Sequence, residues 1–152
     1  MTDTDSFMIS QLAKELVAIR LQKMEDPCAV TAALVRETAM TALKARPQEA
    51  ERVVSDCCYG ALQALLLSGQ DLARGATLIL GEVSDLAFPA GLDPADLMRY
   101  ALEGFARIRR IATQDQVIEM LDSLEAHFHG TGEAFAAELA KQPDPGAKRE
   151  RV

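Results

Sequence analysis

Between Val53 and Leu66 the apolar residues Val53, Val54, Cys57, Cys58, Ala61, Leu62, Leu65 and Leu66 return every three or four positions, the period of one helix face. Tyr59, Ala64 and Leu67 carry apolar surface round the other side, so the helix expected from about Pro47 to Ser68 is apolar almost all round. Such a helix lies at the centre of a fold or forms half of an interface. We expect a core position with an oligomer contact at the C-terminal half, made by Gly60, Ala64, Leu65 and Leu67. Gly60 and Ala64, one turn apart, are small enough to let a second helix approach closely.

The other segments are marked by their ends. A first helix is expected from Ser6 to Met24, with Leu12, Leu16 and Ile19 inward. Asp26-Pro27 opens a second helix that runs to Ala45, because aspartate accepts a bond from a free N–H and proline at the first position wastes none. Arg46-Pro47 restarts the chain, with Gln48, Glu49 and Glu51 near the positive end of the third helix. Gly69 ends that helix, a fourth spans Gln70 to Leu86, and Phe88-Pro89-Ala90-Gly91 reads as a loop. Asp93-Pro94 opens a fifth helix whose buried face is Leu97, Met98, Ala101, Leu102, Phe105 and Ile108. Thr113-Gln114-Asp115-Gln116 fits a capping box for a sixth, to His127. Gly130 and Gly132 mark a turn, a short helix covers Glu133 to Lys141, and Pro143 to Val152 is expected to be a frayed, charged tail. The pattern predicts an all-α protein: a compact irregular bundle of six to seven helices, one domain over residues 1–142 with a tail at 143–152.

One unit recurs. Gly69-x-Asp71 returns as Gly91-x-Asp93, each followed by Leu-x-Arg-x-Ala and then by a mid-helix glycine, Gly81 or Gly104. Two copies are fewer than a solenoid needs, so the reading is a duplicated turn-helix unit inside a bundle. Arg74 and Arg99 are then expected to hold equivalent surface places.

Composition narrows the class further. With 49% apolar and 26% charged residues the chain has a globular balance, and aromatics at 5% with no tryptophan favour helix over sheet. A net charge of −7 argues against binding nucleic acid, where Lys and Arg must neutralise phosphates, and against electrostatic attachment to an anionic membrane. The third and fourth helices could mimic a helix-turn-helix, but the second of them offers only Arg74 and Thr77. No stretch approaches the roughly 20 apolar residues of a membrane span, and Asp3 and Asp5 stand where a secretory signal needs basic residues. Three cysteines in no disulfide spacing suit a reducing cytoplasm.

Few residues are candidates for chemistry. Adjacent Cys57 and Cys58 point about 100° apart on a helix and cannot clamp one metal together, so both read as core thiols. Cys28, at a helix N-terminus, is the better candidate for a reactive thiol. His127 and His129 are weak metal candidates that could converge with Glu125 if the helix ends between them. Glu119, Asp122 and Glu125 make an acidic strip in a segment, Thr113 to Ala140, that has no Lys or Arg. The strip could receive a partner with a basic surface, or answer the Arg107, Arg109, Arg110 cluster. The interior glycines Gly60, Gly75, Gly81 and Gly104 each cost a helix about 1 kcal/mol, which close helix packing would offset. No phosphate-binding loop, nucleophile elbow or zinc-helix motif is present in the sequence.

Residues 50 to 112, with their duplicated alanine- and glycine-rich unit, resemble tandem helical proteins of uncharacterised bacterial families. In being acidic, alanine-rich and helical the chain is also similar to phasin-like granule-coating proteins, although its prolines depart from the long unbroken phasin helix. That second resemblance implies a place on a granule surface and carries over no residue roles. The leading expectation is a non-enzymatic cytoplasmic protein that acts through protein–protein contacts, self-associates as a homodimer and uses no cofactor. The alternative is a small-molecule or metal-binding regulatory module, with a pocket at Cys57, Cys58, Tyr59 and Met98 or a site at His127 and His129. An enzyme using a cysteine is the third.

Overall fold

A computed structural model describes residues 9–15 and 26–143, and among these every regular element is helical. Residues 9–15 form α1; the rest of the first expected helix, with Leu16 and Ile19, lies outside the described residues, as does the tail from residue 144. There follow α2 (Pro27–Ala45), α3 (Ala50–Leu67), α4 (Leu72–Asp85), α5 (Ala87–Ala90), α6 (Pro94–Ala106), α7 (Gln114–His127) and α8 (Thr131–Ala140). Tight 3-10 turns at Pro47–Glu49 and Arg107–Arg110 precede α3 and follow α6.

The start signals act as their chemistry requires. Asp26, Asp71 and Asp93 accept from the backbone N–H of Ala29, Arg74 and Ala95 at 3.3, 3.2 and 2.8 Å, capping α2, α4 and α6. At α7 both halves of the capping box close: Gln116 N–H donates to Thr113 at 3.1 Å, and Thr113 N–H donates to the Gln116 side chain at 2.8 Å. Gly69 and Gly91 take φ of +71° and +69°, left-handed values that favour glycine, so each closes a helix just before a capping aspartate. The helix closed by Gly91 is α5, a single turn where the sequence suggested a loop; it leaves Phe88 95% exposed.

Packing follows from α3. It lies against α2, α4 and α6; α4 in turn packs on α2, α6 and α7, and α8 rests on α6 and α7. Val53, Val54, Cys57, Cys58, Ala61, Leu62 and Leu65 are fully buried, and buried residues from α2 to α8 join them in one core. The all-round apolarity of α3 is therefore consumed within the chain. On its α1 side, a Cβ at Gly60 would come 2.6 Å from the carbonyl oxygen of Ser10. Ala64 is buried with Leu34 of α2, and Leu65 presses on Gly75 of α4. This corrects the interface expectation for three of its four residues: Gly60, Ala64 and Leu65 are covered by their own chain, and only Leu67, 75% exposed, is on the surface.

The repeat is likewise narrower than its sequence. Arg74 sits in the first turn of α4 and bonds the cap of α2, its Nη2 lying 2.6 Å from Asp26. That bond, foremost, holds the Asp26 carboxyl below its ordinary range. Arg99 lies a turn further into α6 and meets Glu51, Asp96 and Glu103 at 3.8, 3.8 and 3.4 Å. The two arginines are not equivalent. The turn is duplicated; the helix that follows is offset.

Candidate functional site

The last two helices of the described chain run back on each other and leave an open groove of about 590 Å³ between them. Val117, Ile118 and Leu121 of α7 form one wall, Ala136, Leu139 and Ala140 of α8 the other, with Arg109 and Ala112 at the end. Ile118 remains half exposed in the groove, and Ile111 just beyond α6 is half exposed too. One residue further round α7 lie Asp115, Glu119 and Asp122, all exposed. No Lys or Arg occurs from Thr113 to Ala140; the cations at the groove are Arg109 in its lining and Lys141, which bonds Glu138 at 3.0 Å.

Arg109 does not answer the acidic strip. Its guanidinium donates to the Leu139 carbonyl at 2.9 Å, at the negative end of α8, where that carbonyl also accepts the Gln142 N–H at 3.0 Å. Arg107 turns instead to α3, and Arg110 is exposed. Of the readings open to the strip, the pairing with the arginine cluster is not made, and Glu119 and Asp122 face solvent. Glu125 is taken by backbone: the N–H groups of Gly130 and Gly132 donate to it at 3.1 and 2.9 Å. These bonds hold its carboxyl below the ordinary range and cap the start of α8, where Gly130 has no side chain to do so.

The histidines do not converge. His127 Nδ1 bonds the Ser123 carbonyl at 2.9 Å, while His129, fully exposed, lies 3.2 Å from Glu125. Among the described residues no three His, Cys, Asp or Glu side chains come together in a way that could hold a metal ion. Cys57 and Cys58 belong to the core, so the pocket expected at Cys57, Cys58, Tyr59 and Met98 is replaced by packed side chains. Burial pushes the Cys57 thiol up to about 12 and Cys58 well above its ordinary value. Cys28 is corrected as a reactive candidate: it is buried, its Sγ lies 3.5 Å from the Asp71 carbonyl, and desolvation raises its pKa despite the helix end. Iodoacetamide at pH 7.5 is accordingly expected to leave Cys28, Cys57 and Cys58 unmodified in the native protein and to label all three in urea. Fast native labelling of Cys57 or Cys58, read by mass spectrometry, would contradict the core assignment.

A polar seam between α3 and α6 went unnoticed in the sequence. Arg107 Nη1 donates to Asp56 at 2.8 Å and to Ser55 Oγ at 3.3 Å, and the guanidinium lies over the Tyr59 ring at 4.3 Å. Asp56 was the available signal. It is an acid set inside the apolar stripe of α3, and a buried charge demands a partner.

Comparison with family models, curated proteins and solved structures finds no match to this chain. The resemblance to phasin-like proteins therefore rests on composition alone.

Proposed function

We propose that the chain is a non-enzymatic interaction module whose α7–α8 groove takes an amphipathic, basic segment of a partner protein. The observation that carries this reading is the groove itself: apolar walls, half-exposed Ile118, and the exposed acids Asp115, Glu119 and Asp122 further round α7. A segment with an apolar stripe would fill the groove, and Lys or Arg beside that stripe would meet Asp115, Glu119 and Asp122. Self-association through the apolar third helix is less favoured, because only Leu67 of its expected contacts is free. The three free cysteines are all buried and suit a reducing compartment, so the proposed location is the cytoplasm. No helix among the described residues is long and apolar enough to cross a membrane.

The test is fluorescence anisotropy with two labelled peptides, one with Leu and Lys at helical spacing and one with Leu and Glu. The Leu–Lys peptide is expected to bind with an affinity that falls as salt rises, and to lose about tenfold or more against Ile118→Asp. Equal binding of the acidic peptide, or binding by neither, would sink the reading.

A further inference from the structure

Arg109 is the only charged residue in the lining of the α7–α8 groove, and Gln114 is the only other polar one. Its Nη1 is bound to the Leu139 carbonyl at 2.9 Å, which fixes the guanidinium at the C-terminal end of α8. Among the described residues this is the side chain's one hydrogen bond, and no carboxylate pairs with it. The neighbouring cations Arg107 and Lys141 are engaged with Asp56 at 2.8 Å and with Glu138 at 3.0 Å. With Nη1 committed, the Nε–H and Nη2–H of Arg109 are left as a parallel pair, the edge that grips both oxygens of one carboxylate. Charge is thus laid out along the groove in order. Arg109 stands where α7 starts and α8 finishes, and the exposed acids follow along α7, Asp122 lying about 10 Å beyond Asp115 at 1.5 Å per residue.

We propose that Arg109 sets the direction of the bound segment by gripping one acidic side chain at the end of its apolar stripe. The segment's Lys or Arg residues then lie further along, against the acids of α7. This inference rests on the proposed use of the groove and adds the order of charges that a partner must carry. A segment seated in the groove covers Arg109 and takes water from its Nε–H and Nη2–H. Without an acceptor there, two donors of a charged group lose their hydrogen bonds; a carboxylate replaces the lost water with a bidentate pair. The same segment laid the other way round would bring its acid towards Asp122 and a cation towards Arg109, so like charges would meet at both ends.

Three otherwise identical Leu–Lys peptides supply the test: one with Gln at both ends of the apolar stripe, one with Glu at the N-terminal end, one with Glu at the C-terminal end. Each is titrated by anisotropy against wild type and against Arg109→Gln, whose amide can still donate to Leu139. Glutamate alters the helicity of the free peptide equally in both titrations, so the ratio between the two proteins isolates Arg109. One Glu peptide is expected to gain about tenfold over the Gln peptide on wild type and nothing on the variant, while the other Glu peptide gains on neither. Arg109→Lys, which keeps the charge without the fork, is expected to retain only part of the gain, and it serves as the comparison if the glutamine variant does not fold. A gain that survives in Arg109→Gln, or equal gains for both Glu peptides, would overturn the role of Arg109. Equal binding of all three peptides would overturn that role alone and leave the groove reading standing, whereas binding by none would remove both.

Discussion

Replacing Gly104 with alanine is expected to destabilise the fold by about 2 kcal/mol, although alanine is the better helix former by about 1 kcal/mol. A Cβ on Gly104 would run into the carbonyl oxygen of Ser55 and come 3.1 Å from the Cβ of Cys58. Both obstacles belong to the rigid part of α3. Neither is the free end of a long side chain that could swing aside. To admit the methyl group, α6 must back away from α3 and give up the contacts of Phe105, Leu102 and Ala101, all buried in the core. Overpacking of this kind costs about 1–3 kcal/mol and exceeds the gain in helix propensity. Gly81→Ala is the internal control. There a Cβ would meet only Phe128, at an ordinary 3.8 Å, so propensity wins and stability is expected to rise by about 0.5–1 kcal/mol. Urea denaturation of the two variants gives opposite shifts in midpoint if α3 and α6 touch as described. A Gly104→Ala protein as stable as the wild type would mean that they do not.

Arg107→Met is expected to cost about 3 kcal/mol, the lower end for breaking a buried ion pair, because the arginine side chain is itself 30% exposed. The loss has two parts. Asp56, 5% exposed, loses its 2.8 Å bond to the guanidinium, and the Tyr59 ring loses its cover. Lysine at this place could still bond Asp56 but would lose the flat guanidinium over Tyr59, so Arg107→Lys should fall between wild type and Arg107→Met. The double variant Asp56→Asn with Arg107→Met separates charge from packing. It should recover part of the single loss, since the buried carboxylate charge is removed along with the arginine. A cost below about 1 kcal/mol for Arg107→Met would show that the seam is peripheral.

The legible parts of this fold were those set by short-range chemistry. Asp26-Pro27 and Thr113-x-x-Gln116 placed the starts of α2 and α7, because a cap and its N–H lie within three residues of each other. The Gly-x-Asp turns were legible for the same reason. The candidate site was much less so. The acidic strip on α7 could be read from spacing, but the groove beside it needs α8 folded back against α7. Cys28 stood out among the thiols because its helix end was visible in the sequence, and its burial, which was not, makes it an ordinary core thiol. Arg74 and Arg99 looked alike from their flanking residues, yet their partners come from α2 in one case and from α3 and α6 in the other.

By itself, then, the amino-acid sequence determined an all-α chain, the caps and turns of its helices, and which helix is apolar enough to be central. Periodicity and capping act within a turn or two, so they are complete in the linear order of residues. Only the tertiary structure decided that α3 spends its apolar surface inside the chain, that Arg107 answers Asp56, and that Arg99 of α6 reaches Glu51 of α3. Those outcomes depend on which helix faces join across dozens of residues, and the same apolar stripe can be buried by a neighbour in the chain or by a partner. Burial, not residue type, sets what each buried thiol and carboxyl can do.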